Sequence, residues 1–225
     1  MFSFQSARIC SCIEKYEKEF CKNDYYGDSS APLSVQTFGN TSILISAPHA
    51  TNHIRNEKIK VHETNTGALA RKLAEDVGCS YIAKPCTKDL GDPNYDESCV
   101  YKDIISEYIK EHNVSLFVDL HGMSYTHKEA IDIGVNGGNN IDNNGMAQKL
   151  AEIINGRFKS TVACIDKYFQ AAPAYTMSRY VHDNLGIPAI QLEINSRYRK
   201  FKDEHAEKSI LLMKSIEAFL QTALA

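Results

Sequence analysis

The chain has 225 residues, of which 43% are hydrophobic and 24% charged, with a formal net charge of -3. That length and composition allow one sizeable buried core. The slight acidity argues against the broad electropositive surface that duplex nucleic acid requires, and no run reaches the roughly 20 apolar residues of a membrane span. Neither nucleic acid nor a membrane is therefore an expected partner.

The opening stretch, Met1 to Arg8, lacks the basic start and apolar core of a secretory signal, so a cytoplasmic location is expected. Seven cysteines, with only Cys10 and Cys12 close together and no Cys-x-x-Cys clip, read as reduced thiols in such a compartment. One domain is expected over residues 1–225, with residues 1–32 as an N-terminal extension or short element. Lys22 to Pro32 is polar and rich in turn formers, as a loop would be.

Thr41 to Ser46 is β-branched and apolar and breaks at Pro48-His49, a strand feeding a loop. Thr64 heads a helical pattern of Ala68, Leu69, Leu73 and Val77, with Thr64 as N-cap and Gly78 as stop. Ser80 to Lys84 suits a strand. Asp96 to His112 suits a helix with Val100, Ile104, Ile105, Tyr108 and Ile109 on one face.

Ser115 to Leu120 reads as a strand that ends at His121-Gly122, and Ala130 to Val135 as another, broken by the loop from Asn136 to Asn140. A helix follows with Met146, Leu150, Ile153 and Ile154 inward. Thr161 to Ile165 is a strand, Thr176 to Leu185 a helix stopped at Gly186, and Ala189 to Ile194 a strand. Asp203 caps a last helix with Leu212, Ile216, Phe219, Leu220 and Ala223 inward. Alternation of this kind predicts an α/β fold: a mainly parallel or mixed central sheet with helices on both faces.

Three of the apolar runs deliver His49, His121 and Glu193 where they end, which is where open α/β sheets carry chemistry. Glu63, just before a helix, adds a fourth candidate. His49, Glu63 and His121 make the two-imidazole, one-carboxylate set common to catalytic zinc, which predicts one zinc ion per chain with Glu193 left free as the base. His53 and His62 are alternative ligands. Asp119 shares a strand side with His121 and is a candidate supporting group. A carboxylate in the run around Glu193 needs a partner, and Arg197 is the structural alternative to a catalytic role. The glycines from Gly134 to Gly138 lack the register of a dinucleotide site.

Pro48-His49-Ala50, Glu63-Thr64, Asp92-Pro93-Asn94, Asp119-Leu120-His121, Asn155-Gly156-Arg157-Phe158-Lys159 and Gln191-Leu192-Glu193 occur in an order that resembles the N-formylglutamate amidohydrolases, whose fold is similar to that of zinc carboxypeptidases. The resemblance implies zinc on His49, Glu63 and His121, catalysis by Glu193, and hydrolysis of an amide bond in a small N-acyl amino acid or related metabolite. Other readings of the same set are a carboxypeptidase-like peptidase, an esterase, or a non-catalytic descendant that binds a ligand or protein. Where the family often has Asp-x-Asn-Arg, this chain has Tyr95 in place of the arginine. Substrate contacts are then expected from Asn94 and from Arg55, Arg157 or Arg179, with Arg197 as a further candidate.

Overall fold

The structure is a computed structural model and describes residues 4–88, 91–141 and 145–224. Met1 to Ser3 of the opening stretch lie outside the described residues. In chain order the elements are α1 (Phe4–Phe20), α2 (Lys22–Tyr25), β1 (Gln36–Thr37), β2 (Ile43–Ala47), β3 (His53–Arg55), β4 (Lys58–Lys60), α3 (Thr66–Val77) and β5 (Ser80–Ala83). They continue with α4 (Val100–Glu111), β6 (Leu116–Met123), β7 (Ile131–Gly134), α5 (Gly145–Phe158), β8 (Ala163–Ile165), α6 (Met177–Leu185), β9 (Ala189–Asn195) and α7 (Ala206–Ala223).

Seven strands form one sheet in the order β1-β5-β2-β6-β9-β7-β8, and β3 and β4 pair as a separate ribbon. Strands β5, β2, β6 and β9 are parallel, β1 and β7 run against their neighbours β5 and β9, and β8 is parallel to β7. The sheet is thus mixed, with a parallel centre, as the alternating pattern implied.

Period-two alternation divides the sheet residues between two unlike faces. Ile45, Val118, Leu120, Ile190, Leu192, Ile194, Ile131 and Ile133 form one apolar surface and bury against α1, α3, α5 and α7. On the other face Leu44, Ile82, Phe117 and Ala189 pack against Tyr101 and Ile105 of α4 and Met177 and Val181 of α6. Beyond those residues the same face turns polar: Ser46, Asp119 and Gln191 lie in one row across β2, β6 and β9, and His121, Glu193 and Asp132 in the next across β6, β9 and β7.

Several boundaries differ from those read off the sequence, each for a tertiary reason. The N-terminal element is a 17-residue helix whose Ile9, Ile13, Tyr16 and Phe20 are buried in the main core. Helix α3 begins one residue later than expected: Asn65, not Thr64, is the N-cap, in the left-handed region at φ 67°. Glu17 accepts the Asn65 N–H at 2.8 Å and the Asn65 amide donates to the Arg199 carbonyl at 2.6 Å, which holds that backbone. Strand β6 runs through His121 to Met123 because β9 pairs with it as far as Asn195.

Helix α4 buries Tyr101, Ile105 and Ile109 and leaves Val100 exposed, one position round from the expected stripe. A 3-10 turn at Asp203–His205 precedes α7, so Asp203 does not cap it, and Ala223 is exposed where it was expected inward. None of the helices described is long and apolar enough to cross a membrane.

Because Ile13 is only 1% exposed, Ile13→Ala should lower unfolding free energy by about 3 kcal/mol in urea melts, although the residue lies ahead of the sheet. Burial pushes the Glu17 carboxyl from 4.5 up to about 7, against its bonds to Asn65 and Tyr25. The folded state then holds a proton that the unfolded state releases, so this group costs stability as pH rises from about 4.5 to 7. Glu17→Gln should remove roughly 3 kcal/mol of that pH dependence, measured by unfolding at pH 4.5 and 8.

Candidate metal centre

The polar end of the second face is where His49, Glu63 and His121 meet. His49 follows the last residue of β2 by two positions, Glu63 closes the segment before α3, and His121 projects from β6. Glu63 bridges the two imidazoles: Oε1 lies 3.0 Å from His49 Nδ1 and Oε2 lies 3.3 Å from His121 Nδ1. The Gly122 N–H donates to Glu63 Oε2 at 2.8 Å, so the carboxylate is aimed by backbone as well as by rings.

Each ring is held from behind by an acid. His49 Nε2 lies 3.0 Å from Asp92 Oδ1 and His121 Nε2 lies 2.8 Å from Asp119 Oδ2. A carboxylate can only accept, so each ring donates from Nε2 to the acid behind it, while Nδ1, which donates to Glu63 when protonated, is the atom a metal ion would take in place of that proton. Carboxylate behind imidazole is the usual support of a metal ligand. One ligand atom from each of His49, Glu63 and His121 lies within 4.8 Å of the others.

Electrostatics favour a cation at this point. Burial raises the Glu63 carboxyl, but the two imidazoles outweigh it and hold the group well below the usual carboxylate range. Burial lowers His121, yet Asp119 and Glu63 reverse the sign and raise it well above an ordinary histidine. Asp119 Oδ1 is buried with no partner. Four carboxylates, Glu63, Asp92, Asp119 and Glu193, thus converge on two histidines, and the donor set of two imidazoles and one carboxylate fits zinc.

Glu193 sits directly opposite His121 on β9, 7% exposed, with Gln191 Nε2 donating to its Oε1 at 3.1 Å. Burial is the largest influence and pushes its carboxyl up to about 7, with nearby His121 opposing. The buried cation near it is Arg199, whose charge acts on both Glu63 and Glu193. Arg197 instead lies 5.8 Å from the Tyr125 ring centroid. Gly122 makes room for Arg199: a Cβ there would fall 2.4 Å from its Nη2.

The alternative ligands are placed differently. His53 stacks on His49 at 3.9 Å and forms a second possible cation group with His49 and Asp92. Asp92 already takes Arg55 Nε at 2.6 Å and His49, however, and all three side chains of this group are buried, whereas Glu63 of the other group is partly exposed. His62 spends Nδ1 on Asn52 and Nε2 on Thr64 and stacks on Tyr25, facing away from the pair of imidazoles.

Of the residues expected to touch substrate, two lie at the centre. Asn94 Nδ2 comes within 2.9 Å of His121 Nε2 and its Oδ1 accepts the Met177 N–H at 2.8 Å, which ties the site to the first turn of α6. Arg55 is bound to Asp92 with its guanidinium 5.2 Å from the Tyr95 ring centroid. Arg179, on α6, is bonded to the Ala172 carbonyl and, at 3.0 Å, to Asp183. Arg157 donates to the Lys214 carbonyl of α7, on the opposite face of the sheet from Glu193. The structure therefore does not bring Arg157 to the site.

Sequence reasoning missed Asp132. Opposite Glu193 on β7, its carboxylate accepts the backbone N–H groups of Lys167, Tyr168 and Phe169. An acid alternating with isoleucines in an otherwise apolar strand was the available signal. Arg199 left no signal, since only the fold carries it under Gly122.

The chain shares its architecture with solved structures at low sequence identity. A gene product of Agrobacterium tumefaciens superimposes with a TM-score of 0.57 at 12% identity, over 88% of this chain and 96% of that one. The N-formylglutamate amidohydrolase of Ralstonia eutropha gives 0.52 at 12% identity, over 85% and 97%. A metallo-carboxypeptidase of Pseudomonas aeruginosa gives 0.52 at 11% identity, over 97% and 68%. No protein-family model and no curated protein matches the sequence. The fold is the α/β fold of metallo-carboxypeptidases and N-formylglutamate amidohydrolase, as the ordered motifs implied.

If Asp92 and Asp119 hold the two rings for metal, Asp92→Asn and Asp119→Asn should each weaken zinc binding about 10- to 100-fold, read by competition with a chromogenic chelator. His121→Ala should abolish stoichiometric zinc in metal analysis.

Proposed function

We propose that the protein is a zinc-dependent hydrolase that cleaves a carbon-nitrogen amide bond in a small N-acyl amino acid or related metabolite. The observation that carries this reading is the pair of imidazoles, each backed by an acid and joined across Glu63, with the buried Glu193 carboxyl beside them. Held by His49, Glu63 and His121, zinc would supply Lewis acidity that polarises the carbonyl and makes water acidic enough to ionise near neutral pH.

Glu193 takes the base role. A carboxyl pushed up to about 7 is ionised in a useful fraction at neutral pH and holds a proton once it gains one. It removes a proton from the attacking water and returns it to the leaving amine nitrogen, so the group ends as it began. Arg199 beneath the site limits repulsion between Glu63 and Glu193. Arg55 and Asn94 line the approach, and with Arg55 engaged by Asp92 and Tyr95 beside it, the substrate is gripped through amide and aromatic surface more than through a free guanidinium.

Glu193→Gln keeps the side-chain shape and removes the base. Turnover should fall about 10²- to 10⁴-fold on the best substrate in a panel of N-acyl amino acids and matched esters, with zinc content unchanged. Full activity in that variant would overturn the assignment.

A further inference from the structure

A cavity of about 550 Å³ opens between α1, the segment before α3 and the segment that leads from β9 to α7, and none of His49, Glu63, His121 or Glu193 lines it. Glu17, Arg199 and Phe201 form its buried parts, while Lys18, Lys200 and Lys202 are exposed at its rim with Glu14 as the one exposed acid among the described lining residues. Its size is that of small-molecule sites in general.

One atom of a residue that lines it lacks what it needs. Glu17 is 9% exposed; its Oε1 accepts from Asn65 and from the Tyr25 hydroxyl at 3.0 Å, but its Oε2 is buried with no partner. The cation within reach cannot serve it fully, since Arg199 gives Nε to the Ile194 carbonyl and Nη1 to the Thr64 carbonyl. A dry carboxylate oxygen calls for a charged donor, and three rim lysines call for an anion.

We propose that this cavity binds an amino-acid-type zwitterion, a free amino acid or dipeptide, with its ammonium on Glu17 Oε2 and its carboxylate among Lys18, Lys200 and Lys202. Phe201 supplies apolar surface between the two charges. Occupancy would bear on the metal centre, because Glu17 and Arg199 hold Asn65 and Thr64, the two residues that follow Glu63. The inference does not depend on the reaction proposed above.

The test is thermal unfolding of the full chain at pH 8 with L-alanine, L-glutamate and L-alanyl-L-alanine, each beside its N-acetyl and C-terminal amide forms. Glu193→Gln protein serves as the background, so that hydrolysis cannot consume a probe. At about ten times half-saturation at least one zwitterion should raise Tm by about 3–5 °C. Its amide form should not, any shift from its N-acetyl form, which the metal centre could bind, should be untouched by the cavity substitutions, and Glu17→Gln and the double variant Lys200→Met with Lys202→Met should each lose the zwitterion's shift. If Glu17→Gln does not fold, the lysine variant and the blocked probes decide the matter alone. No shift with any zwitterion, an equal shift with the amide forms, or a zwitterion shift that survives the Glu17 or the lysine substitutions would overturn the proposal.

Discussion

Glu63 shared between His49 and His121 is the interaction on which the site depends. A carboxylate bridging two imidazoles can be kept dry only if the rings stay in place and the remaining lone pairs are met. Asp92 and Asp119 fix the rings from behind, the Gly122 N–H meets Glu63 Oε2, and Arg199 lies close under Gly122. Each support comes from a different part of the chain, so the sheet has to be assembled before the charges can balance.

The uneven cover of the sheet follows from the same need. Four helices and a continuous apolar surface seal one face, whereas α4 and α6 reach only the apolar rows of the other. The rows they leave are Ser46, Asp119 and Gln191, then His121, Glu193 and Asp132. Polar residues in central strands would be costly under a helix, and here they gather about the candidate metal centre instead.

Much of this was legible in the sequence because apolar runs ending in His or Glu are local signals. The strand before His49, the helix after Glu63 and the strand carrying Glu193 needed only periodicity and caps. What escaped was set across the chain. Nothing near Asn65 announces that Glu17 and Arg199 will hold it in a left-handed turn and delay α3. The length of β6 was hidden in the same way, since His121 stays in the strand only because β9 continues beside it. Asp92 stood in the ordered motifs, but its place behind His49, and the pairing of Arg55 with it, required the loop to fold back.

Asp132 gives the site a division of labour. It is a strand residue beside Glu193, yet all its described contacts reach outward to Cys164 and to the backbone of residues 167–169. Those contacts read the loop through its main chain, not its side chains. At residues 167–169 the path of the loop is therefore pinned to the sheet through backbone that any side chain would supply. A substitution at those three positions would leave this tie to the strand beside Glu193, and with it the balance of charge around Glu63, in place.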